Sequence, residues 1–224
     1  MPQPIVVFDL DGTLAETAGD LIAALNHVLA LEGVPPVAVG QARFMLGAGG
    51  RALILRGLAA AGRTVTADRL EEMFGGFLDY YNANIAVHTH LYDGVIASLD
   101  RFAAAGWQFA VCTNKMELSS VTLLRALGVG HRFAAICGQD TFHVCKPDPM
   151  ALHATIARAG GDAARSVMIG DSETDIRTAI AARIPCVAVD FGYTDKHVSA
   201  YGPDRVVSHF DELWDAVAGL RPPA

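Results

Sequence analysis

The chain has 224 residues, 52% of them hydrophobic and 18% charged, with a formal charge of −7. A chain of that size and make-up buries a full core without disulfides or a structural metal, which excludes a disordered or membrane-spanning protein. The acidic balance also excludes a broad nucleic-acid-binding face.

Residues 4–9 read as a buried strand that runs directly into a turn, Leu10-Asp11-Gly12-Thr13. The N-terminus has no basic segment ahead of a long apolar one, so no secretory signal is expected. Between 16 and 89 no strand is expected. Amphipathic stretches at 20–32, 51–61 and 67–84 are punctuated by Val34-Pro35-Pro36 and Leu46-Gly47-Ala48-Gly49-Gly50. They predict a small helical bundle whose core includes the stripe Leu21, Leu25, Val28 and Leu29. Helical stretches at 93–105, 118–127, 149–159 and 174–182 then alternate with apolar runs at 108–112, 133–137, 166–169 and 186–189. That order predicts an α/β fold with a parallel, Rossmann-like sheet, helices on both faces and an inserted α-helical cap. The core is expected over 1–15 and 90–224, the cap over 16–89, and a frayed tail over 221–224. Cys112, Cys137 and Cys186 fall in strand-like runs and no C-x-x-C occurs, so the expected setting is reduced and cytoplasmic, with no membrane partner.

In an open parallel sheet, ligands bind beyond the C-terminal ends of the strands. Four chemically loaded clusters fall at such ends: Asp9 to Thr13, Thr113-Asn114-Lys115, Lys146-Pro147-Asp148-Pro149 and Gly170 to Asp175. Read as one site, they set three carboxylates against a lysine, a hydroxyl and short turns with free backbone N–H groups. Clustered carboxylates repel, by about 4 kcal/mol for two unit charges 4 Å apart at an effective dielectric near 20. Oxygen ligands without histidine or thiolate suit a hard divalent ion, Mg²⁺. Lys146, Thr113 and backbone N–H groups remain to hold phosphoryl oxygens, and the arrangement is that of phosphoryl transfer. Asp9 can attack phosphorus, while Asp11, two residues on, can move the proton of the leaving group and of water.

These motifs resemble those of the haloacid dehalogenase superfamily, and within it the phosphoglycolate-phosphatase-like branch. The first motif, D-x-D-G-T-L, matches Asp9 to Leu14; the Ser/Thr motif matches Thr113; K-P-x-P matches Lys146 to Pro149; and G-D-x-x-x-D matches Gly170 to Asp175. The resemblance implies Asp9 as nucleophile and Asp11 as general acid/base. It implies Mg²⁺ held by the Asp9 carboxylate, the Asp11 main-chain oxygen and Asp171. Thr113, Asn114 and Lys146 would bind the phosphoryl group, and the 16–89 insertion would be a cap that excludes water and selects substrate. Asp11 argues against dehalogenation, and a cap without lysine argues against phosphonate cleavage. Thr89 to Val95 and Phe191-Gly192-Tyr193 resemble the phosphoglycolate branch, so 2-phosphoglycolate is the expected substrate. The alternatives are a sugar phosphomutase, a phosphatase for another small monoester or pyrophosphate, or a fold kept for binding alone. The enzyme is expected to act as a monomer or homodimer.

Several residues carry two readings. Asp175 is a metal-shell residue, a surface residue or a partner of its helix N-terminus. Arg51, after the glycine-rich turn, contacts a substrate carboxylate or is an exposed helix-start arginine. His88 and His90 have chelating spacing but no evident third ligand, which favours a hinge pair without metal. Asp93 and Glu16-Thr17 depart from the branch pattern, as does Arg183, which stands where a glycine usually ends a helix. A non-glycine residue in a left-handed cap costs about 1–2 kcal/mol, so that helix is expected to end differently.

Overall fold

The computed structural model describes residues 3–42, 45–47, 49–194 and 196–220. The expected tail at 221–224 and Ala48 of the glycine-rich turn lie outside the described residues. The first strand, β1 (Ile5–Phe8), is buried along its whole length. It alternates as a strand must: Val6 and Phe8 enter one apolar cluster, Ile5 and Val7 the other. A short ribbon strand, β2 (Ala15–Glu16), leads into the cap helices α1 (Ala18–Leu31), α2 (Val39–Ala42), α3 (Gly50–Ala60) and α4 (Ala67–Ala83). The returning strand β3 (His90–Leu91) pairs antiparallel with β2, so both crossings between cap and sheet run side by side.

After β3 the chain alternates through α5 (Val95–Ala104), β4 (Gln108–Cys112), α6 (Glu117–Ala126), β5 (Ala135–Cys137), α7 (Pro149–Arg158) and β6 (Ser166–Gly170). It ends with α8 (Glu173–Ala182), β7 (Cys186–Val189), β8 (Arg205–Val207) and α9 (Leu213–Ala218). The sheet order is β5-β4-β1-β6-β7-β8, and each neighbouring pair is parallel. Residues of α5, α6 and α9 pack on the Val6/Phe8 face, and those of α7 and α8 on the Ile5/Val7 face. A parallel sheet covered on both faces needs apolar residues on both sides of its central strand, which is why Ile5-Val6-Val7-Phe8 shows no polar alternation.

The sheet reverses its strand order at β1, which lies between β4 and β6, and that reversal opens a crevice at the C-terminal ends of all three. In the cap, Leu21, Leu25, Val28 and Leu29 of α1 pack with Leu53, Ile54, Phe74 and Phe77 of α3 and α4. The stripe expected from the sequence is therefore buried there.

Two local features depart from the sequence reading. The β2–β3 ribbon places two-residue strands where none was expected. Helix α8 keeps a left-handed end: Arg183 has φ 55° and ψ 39°, the one positive-φ residue other than glycine among the described residues. The helix closes all the same because Ile184 N–H reaches Ala179 O at 3.0 Å and the Ile184 side chain is buried. A hydrophobic residue just past the cap often accompanies such an end.

Candidate active site

Asp9 follows β1, Thr113 follows β4 and Asp171 follows β6, so the sheet itself sets three of the expected residues side by side. Lys146 comes from the loop before α7 and is 4% exposed. Its Nζ lies 2.8 Å from Asp9 Oδ1 and 2.5 Å from Asp175 Oδ1. The other Asp175 oxygen accepts from Ser172 N at 3.1 Å and from Ser172 Oγ at 2.6 Å, which caps α8. Asp175 therefore fulfils its helix-terminus reading and also holds the lysine.

Asp171 accepts from Thr13 Oγ1 at 2.8 Å on one oxygen and from Tyr193 N at 2.7 Å on the other. Gly12 (φ +86°) and Gly192 stand so close that a Cβ on either would overlap the Asp171 side chain. Only glycine fits at both places.

A carboxylate oxygen from each of Asp9, Asp171 and Asp175 falls within 4.8 Å of the others, the one such metal-compatible group among the described residues. Burial pushes Asp9 up to about 6, with Lys146 pulling down and Asp175 pushing further up. Burial, then Asp175 and Asp9, raise Asp171 well above the usual carboxylate range. Burial disfavours the Lys146 ammonium, but Asp175 and Asp9 beside it outweigh that and lift it above its ordinary value. One lysine thus faces three buried acids, and its ammonium is shared between Asp9 and Asp175. A site short of positive charge, with oxygen donors only, fits a hard divalent cation such as Mg²⁺.

Thr113 is buried, and its Oγ1 accepts from Lys115 N at 3.2 Å. Asn114 donates through Nδ2 to Lys146 O at 2.9 Å, tying two strand-end loops together. Asp9, Asp11, Thr113, Asn114 and Lys146 all line one cleft between sheet and cap. Arg51 does not: it pairs with Glu71 at 2.6 Å and lies over the Phe74 ring. His88 and His90 lie in the hinge, where Nδ1 of His90 is 3.3 Å from His88 O, and neither belongs to the acidic group.

Sequence reasoning gave no role to four residues that the fold brings into play. Lys115 Nζ reaches both Asp11 oxygens, at 2.9 and 3.0 Å, and lies 4.3 Å from the Tyr81 ring centroid. Tyr193 receives Thr17 N at 2.6 Å and Ala18 N at 2.9 Å on its hydroxyl, and donates to Glu16 at 2.6 Å. One residue thereby joins Asp171 to the hinge. Asp20 accepts from His88 N at 3.0 Å, Thr89 N at 3.0 Å and Thr89 Oγ1 at 2.7 Å, closing the other side of the hinge. The only signals available in the sequence were Lys115 beside Thr113 and Tyr193 after Phe191-Gly192.

The haloacid dehalogenase-like hydrolase profile matches residues 6–189. The phosphoglycolate phosphatase of Mesorhizobium japonicum is 51% identical over 95% of this chain and 94% of its own length. That of Agrobacterium fabrum is 40% identical over 96% and 92%. Among solved structures, a predicted phosphoglycolate phosphatase from Haemophilus somnus superimposes with a TM-score of 0.88 at 26% identity, covering 95% of this chain and 97% of that one. CbbY from Rhodobacter sphaeroides, solved in complex with phosphate, gives a TM-score of 0.82 at 25% identity, with 97% and 100% covered.

Proposed function

The chain belongs to the haloacid dehalogenase-like hydrolase family, and on that premise we propose a phosphatase that hydrolyses 2-phosphoglycolate through a phospho-aspartate on Asp9. The carrying observation is the convergence of Asp9, Asp11, Thr113 and Lys146 on one cleft beside the buried acids Asp171 and Asp175. Relatives called phosphoglycolate phosphatase over nearly the whole chain support the choice of substrate.

Asp9 attacks phosphorus through a carboxylate oxygen, and the bond from phosphorus to the ester oxygen breaks. Lys146 and the Thr113 hydroxyl hold phosphoryl oxygens, with Asn114 fixing the loop that carries Lys146. Asp11 gives its proton to the departing alkoxide and then takes one from the water that attacks the phospho-aspartate, releasing phosphate and restoring Asp9. The Asp9 carboxylate, the Asp11 main-chain oxygen and Asp171 would hold Mg²⁺, which when bound offsets the charge of the acids and of the phosphoryl group. The cap closes the cleft with Leu46, Phe74 and Phe77, which exclude water that would otherwise screen these charges.

No helix of the described residues is long and apolar enough to cross a membrane. The four cysteines are unpaired, which supports a reduced, cytoplasmic setting.

Phosphate release from a panel of small phosphorylated metabolites, with Mg²⁺ and with EDTA, tests the proposal. The expected result is Mg²⁺-dependent release led by 2-phosphoglycolate and lost in Asp9→Asn. Release led by a sugar or nucleotide phosphate would remove the substrate assignment. Full turnover by Asp9→Asn would remove the mechanism.

A further inference from the structure

The cleft is chemically uneven. Its cap side is hydrocarbon from Leu46, Leu53, Phe74 and Phe77, while two cations, Lys115 and Lys146, line it from the sheet side. Lys146 is taken up by Asp9 and Asp175. Lys115 is also buried, with its side chain 6% exposed, and places Nζ 2.9 and 3.0 Å from the two Asp11 oxygens. An ammonium has three N–H donors; the two Asp11 oxygens engage two, which leaves the third on the Tyr81 side.

Against Lys115 the cap sets Tyr81 of α4, 1% exposed. Tyr81 lines the same cleft, and its hydroxyl is buried and finds no well-aligned hydrogen-bond partner among the described residues, with the Lys115 ammonium beside it. Folded proteins rarely leave a buried hydroxyl unpaired unless a ligand or water completes it. The Lys115 ammonium and a phenol without an acceptor therefore stand together in the cleft, next to Asp11.

We infer that Lys115 and Tyr81 form a subsite for the carboxylate of the substrate, and so select phosphate monoesters of short hydroxy acids. The inference rests on the phosphatase reading of this cleft and deepens it. One carboxylate oxygen accepts from the Lys115 ammonium and the other from the Tyr81 hydroxyl, both charge-assisted bonds in a water-poor site. A neutral alcohol of the same length leaves the phenol unpaired and the ammonium without its second anion, and is discriminated against for that reason. Because Lys115 also grips Asp11, the same ammonium fixes the substrate acid relative to the group that moves the leaving-group proton. Arg51, the cap cation that the sequence offered for this task, is turned to Glu71 instead.

The test compares kcat/KM for 2-phosphoglycolate and for 2-hydroxyethyl phosphate in the wild type, Tyr81→Phe and Lys115→Met, with Mg²⁺ present. Any loss common to both substrates, including that from releasing Asp11, cancels in the ratio. The expected ratio falls about tenfold in Tyr81→Phe and about a hundredfold in Lys115→Met, the range for losing one hydrogen bond to a charged group and one ion pair in a buried site. Tyr81→Phe keeps the ring and its packing, so it answers the question even where Lys115→Met fails to fold. Equal losses on both substrates overturn the subsite. A wild type that hydrolyses both equally well also overturns it while leaving the phosphatase reading intact. A wild type that hydrolyses neither overturns the phosphatase reading, and the subsite with it.

Discussion

Chelating Mg²⁺ should make the stability of this protein fall as pH rises, and the fall should be traceable to Asp9. In the folded chain burial lifts Asp9 from 3.8 to about 6. A group whose folded pKa is raised holds its proton more tightly when folded than when unfolded. Its contribution is therefore fully present below the unfolded value and is lost as pH climbs through the folded one. The window runs from 3.8 to about 6. At about 1.4 kcal/mol per unit, the full loss is about 3 kcal/mol. Asp171, also raised by burial and by Asp175 and Asp9, acts in the same direction.

The assay is thermal unfolding in EDTA from pH 4.5 to 7.5, for the wild type and for Asp9→Asn, which lacks that titration. For a chain of this length 1 kcal/mol moves Tm by about 2–4 °C. The Tm of Asp9→Asn should thus gain on that of the wild type by about 5 °C or more as pH rises, and level off above about 6.5. Saturating Mg²⁺ should close most of the gap, because an ion bound a hundredfold above its Kd stabilises the folded wild type by about 2.7 kcal/mol. A gap in EDTA that stays constant or narrows with rising pH would refute the claim that burial and like charge dominate this site.

Two further substitutions probe the frame around it. Arg183→Gly relieves a left-handed cap that costs about 1–2 kcal/mol and adds some backbone entropy to the unfolded chain, for a net gain of about 1 kcal/mol and a Tm rise of about 2–4 °C. An unchanged or lower Tm in a thermal melt would mean that the arginine side chain compensates. Asp20→Ala leaves the His88 and Thr89 N–H groups and the Thr89 hydroxyl without their acceptor, at a cost of about 3 kcal/mol. Chemical denaturation should show Asp20→Asn losing less, since its amide oxygen still accepts; equal losses would show that the charge, not the acceptor, holds the hinge.

What could be read in advance divides along a physical line. Asp9, Asp11, Thr113, Lys146 and Asp171 were legible because each sits within one or two residues of a strand end or inside a short motif, and a parallel sheet gathers strand ends by construction. The β1 and β4 runs were legible for the same reason: burial on both faces leaves an uninterrupted apolar stretch. Strand β8 has three residues with Arg205 exposed, and β2 and β3 have two each, too few to carry a period. The pairings that organise the site across the hinge leave no local trace either. Asp20 meets His88 and Thr89, Tyr193 meets Glu16, and Lys115 meets Tyr81. Each joins segments whose spacing only the folded cap determines. Arg51 shows the cost of reading such a residue locally: its place after the glycine turn pointed to the cleft, but Glu71, a helix away on α4, claims it at 2.6 Å. Chemistry at strand ends is thus written in adjacent residues, while selection of the leaving group is written in contacts between cap and sheet. For that reason the sequence identifies the reaction more firmly than the substrate, and Tyr81 and Lys115, to which it gave no role, are where the substrate question is decided.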